Sequence, residues 1–482
     1  MTESAVKNDP RLFSKSLRTF IRQKQPWLKS PASAGLIHGW LLLNQAQIHI
    51  TASDQALAGE KLDQMKVLPD LPAVLESEYL LARCNLCNQF NCLDELNEHL
   101  TSLEKMAMKD EALPVRAQCL YYRASMEASG GDYQKASGHY LEALRTQEIR
   151  DDRDFTAEIY NDLGFCSNRM GNGGRAEEYY KISLRLRKDT GNLAGQAESL
   201  NNLGILHMKA NHFQKSEDAL KEAYNLETLA GDRIGEGYTL LNLGVLAYNR
   251  SQFSNAYKHY HRALSLRKSI GDVLGQGFCY THLAHLSLML ETPEAAYQHA
   301  ERGRSYFALA GEAYGVIKMD ALLCNILLEQ NKTEQAGEYL DKVAPGNEGQ
   351  PAGRHHELFL IPRLKLALAC GRSEQAEGMW RRYLEYDPGY SKSMEGMQVH
   401  GGLLSGLGRK DQAREVWRQA LDRASEKVLI YEKAKILLCL GGLEPGTKAG
   451  KDALNEALGL FKNIGAPYWE RKTKKIINRE AS

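Results

Sequence analysis

The stretch Asn201–Gly237 reads NNLGILHMKANHFQKSEDALKEAYNLETLAGDRIGEG. Within it, side chains at Leu203, Gly204 and His207, and again at Ser216, Leu220 and Ala223, recur at three- and four-residue steps. That spacing draws one packing stripe on each of two helices. Asn211 and His212 interrupt the pattern between them, which predicts a short turn and an antiparallel helix pair. Gly231 follows a long helical run and suits the left-handed position that ends a helix; Asp232 is then placed to cap the next one.

The same unit recurs between Tyr160 and Gly315 at a spacing of forty residues. Gly164, Gly204, Gly244 and Ala284 form one column, Gly191, Gly231, Gly271 and Gly311 a second, and Gly195, Gly235, Gly275 and Gly315 a third. A fixed period of this length means a stacked repeat array. No single pair can bury its stripe alone, so each must stack on its neighbours, and stability becomes a sum of nearest-neighbour interfaces. Glycine within a helix costs about 1 kcal/mol against alanine. The pairings Gly164 with Ala176, Gly204 with Ser216 and Gly244 with Ala256 therefore predict close approach of the two helices as compensation.

These columns resemble the tetratricopeptide repeat. The forty-residue form with Gly-Asp joints is similar to the repeats of the LGN/Pins polarity adaptors and of the repeat-bearing arms of bacterial regulators. Leu203, Gly204, Ser216, Leu220 and Ala223 take framework positions, with His207 in place of the usual aromatic and Ser216 in place of the usual alanine. The resemblance implies an all-α fold, a right-handed α-solenoid of about eleven stacked helix pairs whose first helices line a concave groove.

Outward from the regular copies the period weakens. Ala124, Ala136, Tyr140 and Leu144 keep the phase upstream, with Asp151-Asp152 where Gly-Asp would stand, and Cys324 with Ala336 keeps it downstream. The expected organisation is a basic amphipathic cap over residues 1–32, degenerate pairs over 33–151, and the regular array over 152–344. A Pro/Gly loop over 345–353, degenerate pairs over 354–466 and a capping helix with tail over 467–482 complete it. The first segment sets Leu12, Phe13, Leu17, Phe20 and Ile21 against Arg11, Lys15, Arg18 and Arg22, a face suited to covering the first repeat.

Composition excludes several function classes. With 61 basic and 60 acidic residues in 482, no global charge draws the chain to nucleic acid or membrane. No apolar run reaches the length of a signal peptide or membrane span. Nine irregularly spaced cysteines fit a reducing compartment, so a cytoplasmic location is expected. Cys84, Cys87 and Cys92 with His99 are the one cluster that invites a zinc reading, and His282 with His285 share a helix face. Neither supplies the paired four-ligand pattern of a structural site. No Gly-Lys-Ser/Thr phosphate loop or marked nucleophile–base pair is present. Neither cofactor nor catalysis is expected.

The groove can be read from the columns. Six residues before the first glycine column stand Glu158, Glu198, Tyr238 and Phe278; two before it Asp162, Asn202, Asn242 and His282. One after come Phe165, Ile205, Val245 and His285, and five after Arg169, Lys209 and Asn249. Asn201 adjoins this set. The early part carries both charge signs, and around Tyr238, Val245, Tyr248, Phe278 and Met289 the face turns aromatic and apolar. Side-chain amides at Asn202 and Asn242 offer both donor and acceptor to an extended backbone, and in the adaptor family groove asparagines hold peptide. The expected function is a non-enzymatic scaffold that binds a protein or peptide segment in this groove, with oligomerisation left open. The second reading is the ligand- or peptide-sensing arm of a bacterial signalling regulator.

Overall fold

The computed structural model describes residues 33–51, 55–68, 72–89, 92–109, 115–146, 152–290, 292–343, 356–426 and 429–479. The expected cap over 1–32 and the loop over 345–353 lie outside these. Among the described residues the regular structure is helical, with 23 α-helices, which make eleven successive pairs and one last helix. None is long and apolar enough to cross a membrane.

The helices fall into two compact units, Met1–Asn202 and Leu203–Ser482. The first holds α1 (Ser33–Thr51), α2 (Gln55–Lys66), α3 (Ala73–Gln89), α4 (Leu93–Lys109), α5 (Arg116–Ser129), α6 (Tyr133–Ala143), α7 (Arg153–Arg169) and α8 (Gly173–Thr190). The boundary falls inside α9 (Leu193–Lys209). The second continues with α10 (Phe213–Ala230), α11 (Arg233–Asn249), α12 (Phe253–Ser269), α13 (Val273–Leu290), α14 (Pro293–Leu309), α15 (Ala313–Glu329) and α16 (Thr333–Val343). It ends with α17 (Leu360–Ala369), α18 (Ser373–Tyr386), α19 (Met394–Gly406), α20 (Lys410–Glu426), α21 (Ile430–Leu443), α22 (Lys448–Asn463) and α23 (Pro467–Arg479).

Each glycine column has its own physical reason. Gly231 and Gly271 end α10 and follow α12 with φ of 70° and 72°, where a β-carbon would be strained. The caps form as the sequence requires: the Gly235 amide donates to Asp232 at 2.9 Å and the Gly275 amide to Asp272 at 2.8 Å.

The other two columns are hollows filled by side chains. A β-carbon on Gly164 would lie 2.6 Å from Tyr180 Cε1, and one on Gly204 2.7 Å from Leu220 Cγ. Gly244 faces Tyr260 in the same way. Where this column becomes Ala284, the residue at the filling position is Ala300, and both are fully buried in one cluster. The close approach is thus ring or branched side chain against bare backbone, four residues beyond the small partners Ala176, Ser216 and Ala256. In the third column, β-carbons on Gly195, Gly235, Gly275 and Gly315 would meet Arg187, Glu227, Arg267 and Phe307 respectively. These four long side chains are all buried. The array repeats a cavity and varies its filling.

In the second unit the last helices return to the first ones. Tyr431 on α21, Phe461 on α22 and Trp469 on α23 share a core with Leu240, Phe253 and Tyr260, and the Phe253 and Tyr431 rings meet nearly perpendicular at 5.8 Å. The helix expected as a terminal cap, α23, therefore packs inward: its Lys472 donates to Glu329 of α15 at 2.6 Å.

Candidate functional site

The accessible face of each first helix carries the residues that the columns single out. On α7, Glu158, Asp162, Phe165 and Arg169 follow one another at one-turn steps while Ala157, Ile159, Asn161, Leu163 and Cys166 are buried. The corresponding face of α9 carries Glu198, Asn202, Ile205 and Lys209.

In the first unit these positions converge on one polar cluster. The Tyr121 hydroxyl donates to Glu158 Oε1 at 2.9 Å, and Tyr140 donates to Asp162 Oδ2 at 3.2 Å. Asn161 donates to Glu198 Oε1 at 2.9 Å and accepts from Asn202 Nδ2 at 3.0 Å. The buried Arg187 donates to the other Glu198 oxygen at 2.8 Å and also holds Gly195 O and Ser199 Oγ. Three carboxylates are thereby fixed on one face before any ligand arrives. One N–H of Asn202 is already committed inside the protein, and Asn201 is buried. Arg169 at the far end of α7 sits over the Tyr133 ring at 5.3 Å, and Phe165 meets the same ring edge-on.

Crowding of like charges shows in their proton affinities. Glu158 is accessible at its surface but walled by protein. Loss of bulk water raises its carboxyl above the ordinary value, reinforced by Glu198 and opposed by the Tyr121 bond and by Arg187. Asp162 is pushed up from 3.8 to about 7 by burial and then by Glu158 and Glu198. A folded-state value above the unfolded one means that stability from this group is present below pH ~4 and is lost as pH rises through 7. Asp162→Asn is expected to stabilise the protein by roughly 2 kcal/mol at pH 8, a figure discounted by half because water reaches the cluster. Near pH 4 it should change little. Thermal melts at the two pH values decide it; equal effects at both would remove the acidic coupling.

In the second unit the expected groove residues divide. Tyr238, 44% exposed, stacks under the Arg267 guanidinium at 4.3 Å, and Phe278 meets Phe307 edge-on at 5.2 Å. His282 stacks on Tyr260 at 5.2 Å, and burial, with His285 beside it, lowers its pKa to about 4. His285 is exposed at its surface but walled by protein, and loss of bulk water lowers it too. Asn242 and Asn249 are partly buried, as is Ile205, which packs with Val245 against Leu220 and Leu246. The aromatic stretch is not left open along its whole length: Tyr248 and Met289 line a half-open cavity of 810 Å³ together with Tyr431 and Trp469.

The zinc reading resolves differently from its sequence form. Cys84 is fully buried in the core. Donor atoms of Cys87 on α3 and of Glu95 and His99 on α4 lie within 4.8 Å of one another. Burial, with Glu95 adding to it, pushes the Cys87 thiol up to about 12, and the cluster offers three donors, one of them this thiol, where a structural zinc takes four.

Residues 155–226, which span α7 to α10, match the family model of the tetratricopeptide repeat. This segment carries tetratricopeptide repeats. No curated protein matches the chain by sequence. Among solved structures it is similar to the apo quorum sensor NprR from B. thuringiensis, at 15% identity and a TM-score of 0.47 over 79% of this chain and 97% of that one. It is also similar to aspartyl phosphate phosphatase F from Bacillus subtilis, at 13% identity and a TM-score of 0.44 over 81% and 94%. A third is the STAND protein PH0952 from Pyrococcus horikoshii with its tetratricopeptide repeat sensor, at 15% and 0.48 over 78% and 54%.

Sequence columns miss Arg187 and two first-helix residues that build the acidic cluster, Tyr121 and Asn161. The latter two donate to a residue 37 positions later, the step from one first helix to the next. Searching for donors at that offset from Glu158 and Glu198 would have found them.

Proposed function

We propose that this chain is a non-catalytic interaction scaffold whose first unit binds a protein segment carrying basic side chains along the accessible faces of α7 and α9. The observation that supports it is the fixed acidic cluster of Glu158, Asp162 and Glu198. Its carboxylates are positioned by Tyr121, Tyr140, Asn161 and Arg187, so little side-chain freedom is lost on binding. Lys or Arg on an extended segment would gain charge-assisted hydrogen bonds there. Phe165, 44% exposed, and Arg169 extend the same stripe toward apolar and acidic neighbours of that basic residue. Nine free cysteines support a cytoplasmic setting.

The test is a library of extended peptides screened by fluorescence anisotropy against the full chain. Lys- and Arg-bearing members should be enriched, and Glu158→Gln with Glu198→Gln should weaken the best of them about 100-fold, since each charge-assisted bond contributes roughly 1.5–3 kcal/mol. Enrichment of acidic peptides, or an unchanged affinity in the double variant, would refute the site. The half-open cavity of the second unit favours the additional reading of a ligand-sensing arm.

A further inference from the structure

We propose that the cavity of the second unit binds a compact organic anion, a carboxylate or phosphate on a planar apolar body, with Lys435 as its counter-ion. The inference concerns the second unit alone and stands or falls independently of the acidic cluster in the first.

The cavity volume of 810 Å³ lies within the range of small-molecule sites, which are walled by apolar and aromatic groups with a few polar side chains setting orientation. Here Tyr248, Tyr431 and Trp469 provide the walls and charged residues the orientation. Basic residues outnumber carboxylates among the lining side chains, six to four. The decisive feature is how these charges are used.

Three of the four carboxylates are already engaged. Glu329 accepts from Lys472 at 2.6 Å and from Tyr468 at 3.3 Å, Glu395 pairs with Lys365 at 3.6 Å, and Glu432 accepts from Gln398 at 2.9 Å. Lys435 has no ion-pair partner among the described residues. Its ammonium lies 5.5 Å from the Tyr431 ring centre and 5.6 Å from that of Trp469. Burial lowers its proton affinity, but Glu432, Glu329 and Glu395 more than offset that and hold it above the ordinary lysine value. A charged, part-buried ammonium between two aromatic faces, with the nearby carboxylates engaged elsewhere, is a ready counter-ion for an incoming anion. A cation would meet Lys435 and Lys472 with three of the four lining acids occupied. A planar body attached to the anion would lie against Tyr431 and Trp469.

Isothermal titration of the full chain with four probes of one shape tests this: naphthoate, naphthyl phosphate, neutral naphthamide and cationic naphthylmethylamine. At least one of the two anions is expected to bind about tenfold tighter than the amide, a difference of ~1.4 kcal/mol, and the better of the two tells carboxylate from phosphate. Lys435→Gln should erase that preference and Lys435→Arg retain it, with thermal melts reporting that both variants fold; if the Gln variant does not fold, Lys435→Met takes its place. Glu158→Gln with Glu198→Gln should leave all four affinities unchanged. Equal binding of anion and amide, tighter binding of the amine, no binding by either anion, or full anion affinity in a folded Lys435→Gln variant would each overturn the proposal.

Discussion

Gly244→Ala is expected to cost the full chain about 2 kcal/mol and Gly244→Val about 3 kcal/mol, the scale of overpacking in a filled core. The β-carbon of either would enter the Tyr260 ring, whose Cδ1 atom lies 2.5 Å from where it must sit. Tyr260 is 1% exposed and packed among Leu283, Cys279 and the returning α21–α23 helices, with His282 stacked on its ring. It cannot step aside without disturbing the face that carries His282. The chain itself contains the compensating solution one repeat later, where Ala284 stands opposite Ala300. Tyr260→Ala alone leaves a void and should cost about 4 kcal/mol. The double variant Gly244→Ala with Tyr260→Ala should then lose clearly less than the sum of the two, by ~1–2 kcal/mol, the range of coupling between contacting residues. Urea unfolding of the three variants measures this. Additive losses would show that the glycine column does not exist to admit the ring.

How much of this was legible follows from where each partner sits. The joint glycines and their caps lie within four residues of each other, so Gly231 with Asp232 and Gly271 with Asp272 could be read directly, as could the pairing of helices. The third column could be seen but not explained. Its fillers stand eight residues earlier and are chemically unlike one another, Arg187, Glu227, Arg267 and Phe307, so no shared residue type reveals that they do one job. The accessible stripes were legible because a helix face is a matter of spacing alone. Their chemistry was not: the fate of Asp162 depends on Glu158, Glu198 and Tyr140 meeting around it, and that of Tyr248 on Tyr431, which is 183 positions away. Long-range return of α21–α23 leaves no periodic trace, since any apolar helix face is equally consistent with a cap turned to a neighbour or a lid turned inward.

Removing Asp272 should do more damage than removing the arginine it holds. Arg267 is the largest fully buried side chain of the chain's described residues, and its guanidinium bonds to Asp272 while lying against Tyr238. Two of its nitrogens, Nε and Nη2, have no hydrogen-bond partner among the described residues. Asp272→Ala would strand this cation with no counter-charge and also strip the cap from the Gly275 amide. Together these should cost about 4 kcal/mol, of which ~1 kcal/mol is the cap. Asp272→Asn keeps an acceptor for the amide but drops the charge, and should cost about 3 kcal/mol. Arg267→Met removes the stranded donors along with the charge, fills most of the Gly275 hollow as Phe307 does over Gly315, and leaves Asp272 partly in water. Its cost should stay near 1 kcal/mol, because exchanging a buried ion for a well-packed apolar side chain is often close to neutral. Arg267→Met introduced into Asp272→Ala should therefore restore most of what Asp272→Ala lost. Thermal and urea unfolding of the four variants give the order. If Arg267→Met is as damaging as Asp272→Ala, or fails to rescue it, the joint is held by the arginine's own packing and hydrogen bonds, and Asp272 serves the cap alone.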